Sequence, residues 1–433
     1  MTPQSSFMVV APIDAEREVD LRALLASMND APGRAKPDNA LIPFGAFETL
    51  HFARLLIVDD QTLDDVRAYG SSRPTYPLYL AFLGDVDGDA DDFLQTLVAD
   101  AGNGLSAIFA CCEGFSPGDD LIQWMNRHRR RSAADYVNWR GRTVRRARED
   151  AALREALERY ADGNAQELTG LEPQQIHAKL RQFVAIERSA GRLTLTPEAS
   201  TPLRWWIANA LNFIGVPLLL LLFSPLLIVV GAIVLIRLRR LEKTDPEMCF
   251  RVDQGHSDKL AALEDHDVSN QFSALGAVKP GIVRLWTVTF VLVIIDWSAR
   301  HLYTRGRLAR VRTIHFARWV WIDPNKRILF LSNYDGSLES YMDDFINKVG
   351  FGLNVVFSNG VGYPRTNWLL CDGCKDERKF KEYLRRHQLP TEVWYAAYRD
   401  LTAVDLERNG RIRDGIESPS MSERGAREWV SLL

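Results

Sequence analysis

The chain has 433 residues, 46% of them hydrophobic and 25% charged, with a formal net charge of −3. That is ordinary globular usage with apolar material for more than one core, and it excludes a chain that binds polyanions through its overall charge. Five cysteines (Cys111, Cys112, Cys249, Cys371 and Cys374) are too few and too irregularly spaced for a disulfide framework, and Met1 to Pro12 lacks the features of a secretory signal. Both observations point to reduced, cytosol-facing domains.

In chain order, period and turn chemistry predict a strand over Phe7–Pro12, a helix over Ala15–Met28, and strands over His51–Val58 and Leu78–Leu83. A helix over Asp89–Ala99 and a strand over Ser106–Cys111 follow. Asp120–Tyr160 reads as helical, and Gly163–Ser200 as a loop.

From Trp205 to Ile236 there are 32 consecutive uncharged residues, well beyond the roughly 18 that mark a membrane segment. Arg204 precedes the run, Arg237, Arg239 and Arg240 follow it, and Trp205 and Trp206 stand where interfacial aromatic anchors belong. Pro217 and Pro225 interrupt it. A straight helix of this length would extend about 48 Å, more than a ~30 Å hydrocarbon core requires. Basic residues at both ends favour a re-entrant hairpin with both flanks in the cytoplasm, one tilted span being the competing reading.

The second half repeats the first. Thr49-Leu50-His51-Phe52-Ala53-Arg54 recurs as Thr313-Ile314-His315-Phe316-Ala317-Arg318. Asp87-Gly88 falls on Asp335-Gly336, Phe109 on Phe357 and Arg127-His128 on Arg386-His387, all in the same order. The repeat predicts strands over Phe272–Val278, His315–Ile322, Ile328–Ser332 and Asn354–Phe357, and helices over Arg284–Tyr303 and Ser337–Val349, with a helical stretch over Asp376–Arg413. Only 11 uncharged residues separate Arg284 from Asp296, too few to span a bilayer, so that helix is assigned to the repeat. The order βαββαβ, twice, is the ferredoxin-like split βαβ arrangement of the α+β class. Two such one-sided sheets would pack face to face around a shared cavity.

The expected boundaries are a first unit with a basic helical extension over 1–162, a linker over 163–204, a membrane segment over 205–240, a linker over 241–268, a second unit over 269–415 and a tail over 416–433.

Histidine serves as a metal or haem ligand and as a general base, so the pseudo-symmetric His51 and His315 are candidate cofactor ligands. Alternation on a strand would put His51 on the face of Ala53 and Arg54 on the other, with Phe52. The plain alternative is a histidine that hydrogen-bonds within the core. Asp87 and Asp335 sit at strand-to-helix junctions, where aspartate caps helices and could also serve in acid–base chemistry; Arg54 and Arg318 complete the candidate set. Cys371-Asp372-Gly373-Cys374 has the spacing of half a zinc site without a second half, and reads as a surface loop carrying two thiols. From Arg127 to Arg148 there are nine arginines and one acidic residue, Asp135, interleaved with aromatic residues. Nucleic acid could use that pattern, but beside a membrane segment anionic headgroups are the more economical partner; a solvated helix face is the third reading.

Tandem ferredoxin-like units together with Gly84-Asp85-Val86-Asp87-Gly88 resemble the dye-decolorising peroxidases. That resemblance implies a haem cofactor, with Asp87 assisting peroxide cleavage and His315 as an axial ligand. The second copy departs from the motif, reading Ser332-Asn333-Tyr334-Asp335-Gly336. The run from Thr313 to Tyr398, with Gly362-Tyr363-Pro364-Arg365, is also similar to uncharacterised bacterial membrane-associated proteins, a similarity that implies no activity. Two functions are therefore expected in competition: a module binding an apolar ligand, lipid or partner at the membrane surface, and a haem-dependent oxidoreductase.

Overall fold

The computed structural model describes residues 1–248 and 251–433; Cys249 lies outside the described residues. The fold is α+β. Its first half supplies strands β1 (Gln4–Pro12), β2 (Leu50–Val58), β3 (Tyr79–Asp87) and β4 (Ser132–Val137). The second supplies β5 (Ser269–Ala277), β6 (Ile314–Ile322), β7 (Arg327–Asp335) and β8 (Thr391–Ala396). Within each half the first three strands are antiparallel, in the orders β1-β3-β2 and β5-β7-β6.

The fourth strands are exchanged between the halves. β4 pairs with β6, and β8 pairs with β2. Each sets out along its own sheet before crossing: the Arg130 N–H donates to the Met8 carbonyl, and the Leu389 N–H to the Ser273 carbonyl. The two sheets are thereby linked by one bridge at each crossing into a flattened, barrel-like sandwich, the first sheet continuing past β8 through the short strands Arg34–Ala35 and Asn29–Ala31. Side chains alternate across it, with Phe7, Val9 and Ala11 facing helices and Met8 and Val10 facing the opposite sheet.

Helices α1 (Glu18–Ser27), α2 (Ala90–Phe109) and α3 (Leu121–His128) cover the first sheet through Leu21, Leu25, Phe93, Leu105 and Trp124. α4 (Val144–Gly163) and α5 (Pro173–Ser189) leave the barrel, and α6 (Leu203–Leu222) and α7 (Ser224–Thr244) form the long apolar segment. α8 (Ile282–His301), α9 (Leu338–Phe357) and α10 (Glu377–His387) cover the second sheet. α11 (Ala403–Glu417) and α12 (Glu423–Val430) return to α4 and α5 around Leu157, Leu180, Val184, Ile412 and Trp429.

Several expectations are corrected here. Ser106–Phe109 and Asn354–Phe357 are the last turns of α2 and α9, not strands. Each helix has one non-helical residue at the equivalent place, Ala101 (φ −128°, ψ 17°) and Val349 (φ −136°, ψ 19°), which redirects the remaining turns so that their apolar residues stay on the core. The stretches Asp120–Tyr160 and Asp376–Arg413 each contain a strand, β4 or β8. The loop 163–200 and linker 163–204 hold α5, whose His177, Leu180 and Val184 are buried on one face. The linker 241–268 holds a helix over Gln254–Ala261, and the tail 416–433 holds α12.

The expected shared cavity is filled. One end of the barrel interior is apolar, with Met8, Val10, Leu56, Val58, Val320, Leu329 and Leu331 in contact. The other end is polar and carries the repeated motif.

Candidate functional site

The polar end is built by two β-bulges. On β2 the pairing steps from Leu50↔Val86 to Phe52↔Asp85, so one residue is inserted and His51 turns to the same side as Phe52 and Arg54. The face expected from simple alternation is corrected accordingly. An equivalent shift lies between Ile314 and Ala317 on β6. Both histidines thus enter the space between the sheets, where His51 meets Phe316 and His315 meets Phe52 at ring separations of 5.4 and 5.3 Å.

The candidates for cofactor binding and for acid–base chemistry meet one another. His51 Nε2 lies 2.9 Å from Asp87 Oδ1, and His315 Nε2 lies 2.6 Å from Asp335 Oδ1. The second oxygen of each aspartate accepts a helix-terminal amide, Val144 N–H at 2.8 Å and Ala403 N–H at 2.7 Å. Each carboxylate therefore ties its histidine to the N-terminus of α4 or α11, where the helix dipole favours negative charge. Two partners of the dyads were missed from sequence. The Tyr398 hydroxyl lies 2.8 Å from His51 Nδ1, and Ser269 Oγ donates to Asp335 at 2.8 Å while contacting His315 Nε2 at 3.0 Å. Tyr398 comes from the other half of the chain, which no local pattern signals. Burial, with the charge of Asp87 nearby, holds its phenol well above its ordinary pKa, so it is a neutral hydrogen-bonding group.

Arg54 and Arg318 are buried clamps. Arg54 donates to the carbonyls of Phe272 and Ser332 on the opposite sheet, and also to Asn333. Arg318 donates to the Phe7 carbonyl at 3.2 Å and pairs with Asp85. Asp85 and Asn333 occupy equivalent positions, so Arg318 meets a buried carboxylate, with half-buried Asp135 also 3.9 Å away, where Arg54 meets an amide. Burial lowers the Arg54 guanidinium to about 9 and raises the Asp85 carboxyl, the attraction between their charges opposing both shifts.

A haem iron needs a free imidazole nitrogen and an open slot beside it. Both ring nitrogens of His51 are engaged, Nε2 of His315 is engaged, and each residue is 2% exposed. The residues present do not fit the group. Asp87 reaches the wall of a cleft of about 220 Å³ with Thr49, Arg145 and Arg146, below the roughly 300 Å³ at which small-molecule sites begin.

The Arg127–Arg148 run does not form one cationic face, because β4 divides it. Arg129 pairs with Asp91 and Arg145 with Glu48, Arg146 meets Asp150 and Asp414, and Arg142 is buried against the Trp139 ring. Of the Cys371-x-x-Cys374 pair only Cys371 is exposed; Cys374 is buried with its thiol toward the Gly350 carbonyl. Cys111 and Cys112 are both buried.

A long run of exposed apolar side chains lies on α6, α7 and α8. No residue of α6 is buried. Its polar Asn209 and Asn212 are half-shielded, Asn212 bonding His301 of α8, while Leu211, Ile214, Leu218, Leu221 and Leu222 are all exposed. On α7 the same holds for Leu226, Ile228, Val229, Ile233 and Ile236, and on α8 for Ile282, Trp286, Phe290 and Val293. Among the described residues two helices, Leu203–Leu222 and Ile282–His301, are long and apolar enough to cross a membrane. The expectation that the second of these is too short to span is corrected, because the helix continues past Arg284 and Asp296 at its two ends. The segment is bent. α8 touches α6 through His301–Asn212 at one end and Asp245, just past α7, through Arg284 at the other, a run of about 26 Å of helix. A straight continuation of α6 into α7 would put Asn212 and Asp245 about 50 Å apart. The bend falls at Phe223-Ser224-Pro225, where the ring of Pro225 removes a helical hydrogen bond.

No family model, curated protein or solved structure matches the chain.

Proposed function

We propose that the protein is a membrane-attached, non-catalytic binding module with a cytoplasmic body. In this reading the body is a duplicated ferredoxin-like unit whose copies share one barrel, and α6 and α7 enter the bilayer as a re-entrant wedge. The observation that carries it is the reversed polarity of α6. A helix on a water-soluble body turns apolar residues inward and asparagines outward. Here asparagines face protein and leucines face out, over a surface too extensive to leave in water. The outward Trp286 and Phe290 of α8 suit a helix lying at the headgroup boundary. The histidine dyads act in this reading as structural ties between strand and helix termini.

The protein should sediment with membranes and resist extraction by carbonate. Deleting residues 205–236 should release it. Full-length protein that stays in solution without detergent would overturn the reading.

A further inference from the structure

We infer that the loop following α8 is a docking surface for anionic phospholipid headgroups, an inference that rests on the membrane attachment proposed above. Between Asp296 and Asp323 the sequence has no acidic residue. Arg305, Arg307, Arg310 and Arg312 are all exposed there, and none donates a side-chain hydrogen bond or joins an ion pair among the described residues. Other exposed arginines are held by a carboxylate within about 4 Å, as Arg67, Arg145, Arg192, Arg378 and Arg424 are. Glu407 lies beside Gly306 and pairs with none of the four.

The loop is held in shape. The Gly306 N–H donates to the Asn138 carbonyl, and Leu308 and Val311 exchange both backbone hydrogen bonds across a tight turn. Four guanidiniums are thus presented on a fixed backbone, which lowers the ordering cost of binding. Its position gives the partner. The loop leaves the end of α8 at His301, which bonds Asn212 of α6, and two turns back along α6 come exposed Arg204 and Trp206. Arginine and tryptophan at the point where an apolar helix emerges are the pattern of a headgroup layer. Guanidiniums recognise phosphate through paired N–H donors, and carboxylate-free arginines beside an apolar surface complement an anionic bilayer. The cationic role expected of Arg127–Arg148 thus moves to this loop. Arg130 and Arg131 precede β4 and the loop lies beyond its other end, about 20 Å away.

Full-length protein diluted from detergent should be floated with vesicles of phosphatidylcholine alone, or with one third phosphatidylglycerol, at low and high salt. Carbonate-resistant association with both vesicles tests the attachment. At low salt, partitioning should favour the anionic vesicles by at least about tenfold, a preference that high salt removes. The variant R305Q/R307Q/R310Q/R312Q should lose the preference and keep the attachment; R127Q/R130Q/R131Q should keep both. Equal partitioning of the unaltered protein, or loss of preference only in the second variant, would overturn the headgroup surface while leaving the attachment intact. Failure to associate with either vesicle would overturn both.

Discussion

At the scale of single residues, the sequence repeat is clearest where it is broken. Asp85 answers Arg318, but the equivalent carboxylate opposite Arg54 is replaced by Asn333. Asp85→Asn should therefore cost about 3–5 kcal/mol in urea unfolding, because it removes the buried carboxylate between the two guanidiniums and leaves Arg318 only the half-buried Asp135, 3.9 Å away. Adding Asn333→Asp to that variant moves the carboxylate to the other half and should recover most of the loss. No recovery would mean that the two positions are not equivalent. His51→Asn should lower stability by about 1–3 kcal/mol, the range for a buried donor or acceptor left unmade. Lys279 pairs with Asp245 at 2.9 Å and contacts the Tyr69 ring, and burial lowers its pKa to about 8 from an ordinary 10.5. The unfolded chain then holds more protons between those two values, so stability should rise with pH across about 8 to 10.5. Lys279→Met should flatten that slope in unfolding curves measured at pH 8, 9 and 10. The sequence showed the histidines and aspartates as separate repeated positions. It did not show that they pair, because the pairing depends on an inserted residue in each strand and on a helix terminus more than fifty residues away.

Among elements, equal positions have unequal surroundings. In α2 a side chain on Gly104 would overlap the Leu41 carbonyl of the loop crossing it, whereas Gly352, its counterpart in α9, has open space around it. Gly104→Ala should thus destabilise by several kcal/mol through overpacking of backbone on backbone. Gly352→Ala should be neutral or gain up to about 1 kcal/mol from helix propensity. Thermal unfolding of the pair checks this, and similar losses in both would mean that the second loop also closes on its helix. Strands β1, β2, β3, β5, β6 and β7 were legible because each alternates and is bounded by turn residues. β4 and β8 were not. Each is six residues long and lies between helices, and its apolar face is matched by a strand from the opposite half, so nothing nearby marks it as extended.

For the whole molecule, the exchanged strands make each half incomplete alone. Residues 1–200 lack the strand that covers the edge of β2, and residues 251–433 lack the one that covers β6. Expressed singly, each should be aggregation-prone, because an uncovered edge strand is a template for further pairing. Co-expressed, they should copurify as one cooperative unit. Independent, well-dispersed folding of either piece would contradict the exchange. The shared barrel also requires both halves on one side of any membrane. Exposed Cys371 and a cysteine introduced by Lys36→Cys should both be protected from impermeant thiol reagents in sealed cells; labelling of only one would favour a single span. The sequence repeat marks two corresponding halves, but that they trade strands depends on contacts between residues hundreds of positions apart.

The exchange also sets a timetable for synthesis. The strand that completes β2 is translated roughly 340 residues after it, on the order of half a minute at ordinary elongation rates. The apolar segment emerges midway through that interval, while the first sheet is still open along one edge. In the membrane-attached reading proposed above, insertion into lipid therefore precedes closure of the body, and the nascent first half waits at the bilayer for its missing strand.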